Sequence, residues 1–194
     1  SGKWHLGAAE DAGPTTQGFD QFFGIRAGFI DNFNHYFLHN DGYHDLYRGT
    51  QEVWRRGDYF PDLVVADACR FLTESVEQHA DKPFFLYLAL NIPHYPEQAI
   101  RKFDQAYVKA KEPRRSYGQM VSTTDDYIGK VLDELDRLGV RDNTIVVYST
   151  DNGSQTNTYP DGGAEPFRGE KGSTWEGGFR VPALVRWPGV VEQG

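Results

Sequence analysis

The fold is decided by the sequence TIVVYSTDNG at residues 144–153. Its first five residues are β-branched, apolar or aromatic, which is typical of a buried strand, and the polar residues after them end that strand. Asp142 and Asn143 directly before it predict a turn. The stretch therefore predicts a strand that ends in a loop carrying Asp151 and Asn152.

A long amphipathic helix precedes this strand. Val121, Thr124, Ile128, Val131, Leu135 and Leu138 follow each other in steps of three and four, the spacing of one helical face, and Gly139 suits the position just past the helix end. Before the helix, residues 84–90 read FFLYLAL and predict a short strand buried on both faces. The order strand, helix, strand predicts an α/β fold with a mostly parallel central sheet, right-handed crossovers and helices on both faces.

Two further elements are predicted on either side of this unit. Phe60, Pro61 and Asp62 open a helix in which Val65, Cys69, Leu72 and Val76 share one buried face. A Gly-rich stretch at residues 162–178 precedes a short apolar run at 181–187, where Pro182 favours an edge strand. No internal domain boundary is evident, so residues 1–194 are expected to belong to one domain.

Composition and charge exclude several classes of protein. The chain has 194 residues with a net charge of −8, which argues against a nucleic-acid partner bound through a general basic surface. With 39% hydrophobic and 14% aromatic residues, it is neither a disordered nor a collagen-like chain. The apolar run 84–90 is far shorter than the roughly 20 residues that a membrane-spanning helix needs. Any anionic ligand must therefore be bound by a local cluster of cations.

Two polar loops are expected to meet at one edge of the sheet. The segment PHYP at residues 93–96 follows the first predicted strand, and Asp151 to Gly153 follow the second. The carboxyl ends of parallel strands open at the same edge, where open α/β sheets bind their ligands. The two loops are therefore expected to border one crevice.

Asp151 and Asn152 form a candidate metal site. Their adjacent oxygens, on a backbone that Gly153 allows to bend, suit a hard divalent cation such as Ca²⁺, with Mg²⁺ as the alternative. An ordinary Asx turn at the strand end is the competing interpretation. Residues 152–154 also match a glycosylation sequon, which is discounted because a metal ligand in a crevice would be a poor acceptor.

Two histidines and two lysines are candidates for acid–base and anion-binding roles. His94 lies between Pro93 and Pro96 on a stiffened loop, which suits a catalytic imidazole. Lys3 and His5 alternate around Trp4, so an extended chain would place both on one side. Lys171 lies between glycines but does not match the phosphate-loop pattern Gly-Lys-Ser/Thr. Each residue taken alone also fits a structural histidine or a solvated lysine.

Taken together, these residues suit a tetrahedral oxyanion, and their motifs resemble those of the type I sulfatases. The matching motifs occur in the family's order: GKWHLG at 2–7 with GFD at 18–20, PHYP at 93–96, STDNG at 149–153, and RGEKG at 168–172 followed by EGGFRVP at 176–182. The resemblance implies an alkaline-phosphatase-like fold and hydrolysis of sulfate esters of a carbohydrate or an aryl alcohol.

The resemblance also implies roles for particular residues. Asp151 and Asn152 would complete a calcium site. Lys3 and Lys171 would bind the sulfate group and the hydroxyls of a formylglycine. His5 would assist the collapse of the sulfated intermediate, and His94 would contact sulfate and protonate the leaving oxygen.

The family's nucleophile is missing from these residues. A formylglycine, which attacks sulfur as its hydrate, is made from a Cys or Ser in the pattern Cys/Ser-x-Pro/Ala-x-Arg, which does not occur here. Cys69 is followed by Arg70-Phe71-Leu72-Thr73 within a predicted helix, so it is not the nucleophile.

The formylglycine motif and two metal-binding aspartates are expected upstream of Ser1, so residues 1–194 are expected to be part of a longer sulfatase catalytic domain. Alone, they are expected neither to turn over substrate nor to hold calcium tightly. Export to the periplasm, the lysosome or the cell exterior is implied by the family alone.

Residues 34–44 are the candidate substrate loop. His35, His39 and the aromatic residues around them could line a sugar or aryl pocket. The alternatives are an insertion that packs on its own aromatic residues and a zinc site formed by the two histidines at i and i+4.

Two other functions compete with sulfate ester hydrolysis. A phosphate or phosphonate ester hydrolase of the same superfamily would hold a similar anion, and fold analogy does not separate the two chemistries. A non-catalytic, sulfatase-like protein would bind sulfated glycans without turnover. The Lys-Trp-His and Glu-Gly-Gly-x-Arg-Val-Pro motifs favour sulfate.

Overall fold

A computed structural model of the chain describes residues 1–155, 166–192 and 194. The first part of the Gly-rich stretch, residues 162–165, lies outside the described residues. The described helices are α1 (Phe60–Gln78), α2 (Arg114–Arg137) and α3 (Glu176–Phe179). The described strands are β1 (Gly2–Lys3), β2 (Phe23–Ile25), β3 (Tyr47–Arg48), β4 (Gln51–Glu52), β5 (Val146–Ser149) and β6 (Ala183–Arg186).

The first four strands form one sheet in the order β1-β2-β3-β4. β1 is parallel to β2 and makes a second parallel bridge to Ala89 on its other side. β2, β3 and β4 are antiparallel neighbours, and Gly49 makes the turn between β3 and β4 at a φ of 59°. The α/β class is confirmed, although the described part of the sheet is mixed rather than mostly parallel because short local connections join β3 to β4.

Residues 84–90 differ from the prediction of a strand buried on both faces. Only Ala89 forms a bridge, and burial alternates along the segment. Phe85 is 75% exposed and Tyr87 is 51% exposed, whereas Phe84, Leu86 and Leu88 are partly buried. A continuous apolar run does not distinguish one-sided from two-sided burial, which depends on what packs against each face.

The strand predicted at 144–148 is present as β5, one to two residues later along the chain. The prediction that it is buried is wrong for the described structure, in which Val147 is 65% exposed and Tyr148 is 39% exposed, because only β6 pairs with it. It pairs with β6 in antiparallel register, with Ser149 opposite Ala183. β6 lies in the run where Pro182 predicted an edge strand. The end of β5, which leads into the Asp151 loop, therefore lies beside the start of β6, which follows α3.

α1 lies between the four-stranded sheet and α2. Its Phe60 and Val64 pack with Phe23 and Ile25 of β2, and its Val65 packs in a second cluster with Met120 and Tyr127 of α2. Cys69 is half-buried against that second cluster, as the spacing predicted.

The buried face of α2 agrees with the predicted one in part. Thr124 and Leu135 are buried as predicted, with 9% and 3% of their surface exposed, whereas Val121 is 41% exposed. Met120 and Tyr127, which lie beside the predicted positions, are fully buried and pack in one cluster with Val65 of α1. The helix ends as predicted, with Gly139 at a φ of 71°. Within the described parts of the chain, neither long helix is apolar enough to cross a bilayer.

Candidate functional site

Lys3 is held by backbone hydrogen bonds on both sides of β1. Its N–H donates to the Ala89 carbonyl oxygen at 2.8 Å, and the next residue, Trp4, donates to the Ile25 carbonyl oxygen at 2.9 Å. His5 donates to the Arg26 carbonyl oxygen at 3.1 Å but has a φ of 54°. The prediction that the chain stays extended through His5 is therefore wrong, because the backbone turns into the left-handed region there.

The His5 ring lies over Gly28, where a Cβ atom would come within 2.7 Å of Nε2. The backbone below this contact is fixed by Asp45, whose buried carboxylate accepts the N–H groups of Arg26 and Ala27 at 2.9 and 2.8 Å. Burial raises the pKa of Asp45, and these two hydrogen bonds oppose that rise. The position of His5 thus depends on the buried Asp45 carboxylate and on glycine, which has no side chain, at position 28.

The Asp151 loop packs backbone to backbone against the segment that carries Lys171. The Gly153 N–H donates to the Gly178 carbonyl oxygen at 2.9 Å, and the Lys171 N–H donates to the Ser154 carbonyl oxygen at 2.8 Å. A Cβ atom on Gly153 would lie 1.8 Å from the Gly177 carbonyl oxygen. Glycine at 153 is therefore required for the close approach that brings Lys171 towards Asp151.

The His94 ring is fixed by contacts on its face and at one nitrogen. Its Nδ1 lies 2.8 Å from the Tyr95 carbonyl oxygen, which can only accept, so Nδ1 carries the proton and donates. Phe29 stacks on the ring at 5.3 Å with an interplanar angle of 13°. These contacts leave Nε2 as the nitrogen that can meet a ligand.

The charges of the predicted site residues act on one another. Burial lowers the pKa of Lys3, the nearby Asp151 opposes this shift, and Lys171 adds to it. Burial and the charges of Lys3 and Lys171 also lower the pKa of His5. These interactions place residues from three separate segments of the sequence in one electrostatic environment.

His94 belongs to the same environment. Burial lowers its pKa most, the hydrogen bond to the Tyr95 carbonyl opposes the shift, and Lys3 and Lys171 lower the pKa further. The structure thus brings together five of the residues singled out from the sequence: Lys3, His5, His94, Asp151 and Lys171. Such a group can neutralise an anion and exchange protons with it.

Asp151 and Asn152 are candidates for part of a metal site. The Asn152 Nδ2 atom donates to the Gly153 carbonyl oxygen at 2.8 Å, so the amide oxygen is the end of this side chain that can serve as a ligand. Oxygen donors suit Ca²⁺, which takes six to eight of them. Across residues 1–155 and 166–192, no group of three or more His, Cys, Asp or Glu side chains could hold an ion. The donor chemistry fits, but the described ligand set is incomplete.

The two candidate residues of the substrate loop have different environments. His35 is fully buried, has a φ of 63°, and its Nε2 bonds to the Asp58 carbonyl oxygen at 3.1 Å. The prediction that His35 contacts substrate is therefore wrong, because no ligand reaches a fully buried ring. His39 is exposed, and its Nε2 lies 3.0 Å from the Tyr95 hydroxyl oxygen. The helical spacing behind the zinc alternative does not apply, since this segment is not a helix.

Three contributors were missed by the reasoning from sequence. Phe29 stacks on His94, Gly28 makes room for His5, and Asp45 fixes the backbone between them and β2. The nearest signal is the glycine before a lone aromatic residue at 28–29, but nothing local distinguishes it from the many other glycines of the chain. Their roles depend on contacts with distant segments.

Comparisons with known proteins support the motifs quoted above. The family model described as Sulfatase matches residues 1–193. Arylsulfatase J of Mus musculus is 36% identical over 203 residues, covering 100% of this chain and 32% of that protein. N-acetylgalactosamine-6-sulfatase of Homo sapiens is 34% identical over 206 residues, covering 100% of this chain and 37% of that protein. The chain thus spans about a third of the length of these curated relatives.

A solved structure shares the fold. The crystal structure of Ps i-CgsB in complex with k-i-k-neocarrahexaose matches with a TM-score of 0.85 and 32% sequence identity, covering 97% of this chain and 44% of that one. This similarity confirms the α/β architecture that the motifs implied.

Replacing Gly153 with Ala is expected to lower the free energy of unfolding of the protein by about 1–3 kcal/mol, because a methyl group at 1.8 Å from the Gly177 oxygen forces the two loops apart. Gly129→Ala is the matched control. It lies within α2 with open space around it, and alanine there is expected to stabilise by about 0.5–1 kcal/mol. Urea unfolding of both variants measures the difference. Equal stability of the two would contradict the close loop packing.

Replacing Lys171 with Met is expected to raise the pKa of both His5 and His94, because it removes a positive charge that disfavours their protonation. The two rings would then take up protons at a higher pH than in the wild type. NMR titration of the histidine ring protons measures the shift. Lys82→Met, an exposed lysine in the loop after α1, serves as control. Unchanged titration in Lys171→Met would place Lys171 away from the site.

Proposed function

This chain belongs to the sulfatase family, and we propose that the protein containing it hydrolyses sulfate esters of a carbohydrate or an aryl alcohol. Residues 1–194 would form part of its catalytic domain, in keeping with their match to about a third of each curated relative. The observation that carries the proposal is the convergence of Lys3, His5, His94 and Lys171 with Asp151 in one electrostatic environment.

Lys3 and Lys171 would bind the sulfate group. Each carries three N–H donors and a full charge, and the two come from opposite ends of the chain. Because Lys171 lowers the pKa of Lys3, the two ammonium groups repel each other when no anion lies between them. A sulfate group bound between them relieves that repulsion, which favours binding of a compact anion.

His94 would contact sulfate and hold a proton at Nε2 for the leaving alcohol oxygen. Its Nδ1–H is already committed to the Tyr95 carbonyl, so only Nε2 can exchange a proton with the substrate. The lowered pKa of free His94 means that this proton is bound most readily when an anion offsets the charges of Lys3 and Lys171. His5 would assist proton transfer in the second half of the reaction.

Asp151 and Asn152 would hold a divalent cation through their side-chain oxygens, with Ca²⁺ proposed and Mg²⁺ as the alternative. The cation, when bound, would supply positive charge that stabilises the transition state, and the formylglycine of the family would supply the nucleophile from a segment other than residues 1–194. Glu176 and Arg180 pair at 3.2 Å across α3 and would shape the loop that carries Lys171.

The proposed partners are small-molecule or glycan sulfate esters rather than nucleic acids. The net charge of −8 argues against a polyanion bound over the general surface. Export to the periplasm, the lysosome or the cell exterior is part of the proposal on family grounds.

The proposed function is tested by incubating the complete protein, meaning the full-length chain that contains residues 1–194, with sulfated and phosphorylated forms of the same alcohols. Release of inorganic sulfate, measured by ion chromatography, is the expected result. Faster release of phosphate would indicate a phosphoester hydrolase instead. Tight binding of sulfated glycans without release would indicate a non-catalytic binding protein.

Asp151→Ala in the complete protein is expected to abolish sulfate release and also the increase in melting temperature caused by added calcium. A cation that binds only the folded state stabilises it, so loss of a ligand removes both effects together. Asp125→Ala, an exposed residue on α2, is the control and should retain both. A calcium-dependent increase that survives in Asp151→Ala would remove Asp151 from the metal site.

A further inference from the structure

We propose that Tyr95 and His39 form a polar rim that binds a hydroxyl group of a sugar ring, so that the substrates are sulfated carbohydrates rather than simple aryl sulfates. The proposal rests on the proposed function, because it concerns the alcohol side of the same site. It adds two specificity-determining residues and one substrate class.

His94 connects the charged site to this rim. The charges of Lys3 and Lys171 lower the pKa of His94. Its ring also stacks with the Tyr95 ring, with centroids 4.9 Å apart and an interplanar angle of 27°. In the proposed reaction, His94 Nε2 gives its proton to the alcohol oxygen of the ester. The side chains that pack on His94 are therefore close to the alcohol part of the substrate rather than to the sulfate.

The rim is built before any substrate binds. The Tyr95 hydroxyl and His39 Nε2 are 3.0 Å apart, in a hydrogen bond that is open to solvent. Phe29 contacts both rings, with centroid distances of 4.7 Å to His39 and 4.7 Å to Tyr95. One aromatic side chain therefore fixes the rim and His94 relative to each other.

The chemistry of the rim suits a sugar. A hydroxyl and an imidazole can each donate or accept, so the pair can exchange its mutual hydrogen bond for bonds to a ring hydroxyl. The aromatic surfaces beside it, including Phe37 and the 43% exposed Tyr43, can pack against the apolar face of a pyranose. A phenyl leaving group offers no hydroxyl and would gain nothing from the polar pair.

The test compares two substrates in the complete protein: N-acetylgalactosamine 6-sulfate and 4-nitrophenyl sulfate. Tyr95→Phe keeps the ring that stacks on His94 but removes the hydroxyl, and His39→Ala removes the partner. Each is expected to lower kcat/KM for the sugar sulfate by about 3- to 10-fold, and for 4-nitrophenyl sulfate by less than about 2-fold. The double variant should lose less than the product of the two single losses, because the two groups act as a pair.

Three further variants calibrate the comparison. Tyr107→Phe removes a hydroxyl that bonds to Ser122 at 2.8 Å in a different part of the fold, and His79→Ala removes an exposed ring at the end of α1. Neither should affect either substrate. Phe29→Leu should lower kcat/KM for both substrates, and more for the sugar sulfate, since it removes the ring that supports His94 and both residues of the rim.

Several outcomes would contradict the proposal that Tyr95 and His39 bind the sugar. Equal losses on both substrates for Tyr95→Phe or His39→Ala would indicate an effect through His94 alone, and unchanged kinetics would remove both residues from the substrate path. A wild-type protein that hydrolyses only 4-nitrophenyl sulfate would refute the carbohydrate class but not sulfate ester hydrolysis. Calorimetric titration with N-acetylgalactosamine 6-sulfate separates the remaining cases. If N-acetylgalactosamine 6-sulfate binds through Tyr95 and His39 but neither ester is hydrolysed, hydrolysis is refuted and the rim is supported. If the sugar sulfate does not bind and neither ester is hydrolysed, both proposals are refuted.

Discussion

The backbone pairing of the first five residues is the constraint on which the site depends. β1 lies between β2 and Ala89, and the strands approach so closely that a Cβ atom on Gly24 would be 1.8 Å from the Gly2 carbonyl oxygen. This pairing fixes the backbone at Lys3 and His5. It also fixes the chain that runs from Ala89 to His94, where Asn91 donates to the buried Asn32 side chain at 2.6 Å. Residues far apart in sequence are thereby held against one backbone ladder.

The same packing brings positively charged side chains together at an energetic cost, which a bound anion would offset. Lys3, His5 and His94 all have lowered pKa values, first because they are buried and then because positive charges face one another. Asp151 is the carboxylate that opposes these shifts in all three groups. A bound anion would raise all three pKa values, so the free energy of placing cations together is recovered on binding. A net charge of −8 is therefore compatible with a local cluster of cations that suits the proposed oxyanion.

Sequence patterns anticipated the elements and the charged residues better than the contacts between them. Periodicity located α1 and α2, and Gly139 marked the end of α2, because these features depend on local backbone preferences. The exposure of Phe85 depends on which faces are covered by other segments, and no local pattern records that. His35 was misassigned for the same reason: its burial is set by the distant backbone of Asp58 and by neighbouring rings. The role of Phe29 is visible only in the structure, where its ring contacts both His94 and the loop at 37–39.

The most direct measurement is a crystal structure of the complete protein with a bound sulfate ester or inorganic sulfate. The sulfate oxygens are expected within hydrogen-bond distance of the Lys3 and Lys171 Nζ atoms and of His94 Nε2, with Asp151 and Asn152 oxygens on a divalent cation beside them. Sulfate bound elsewhere at full occupancy, with these side chains contacting only water, would contradict the assignment of this cluster as the site of sulfate ester hydrolysis.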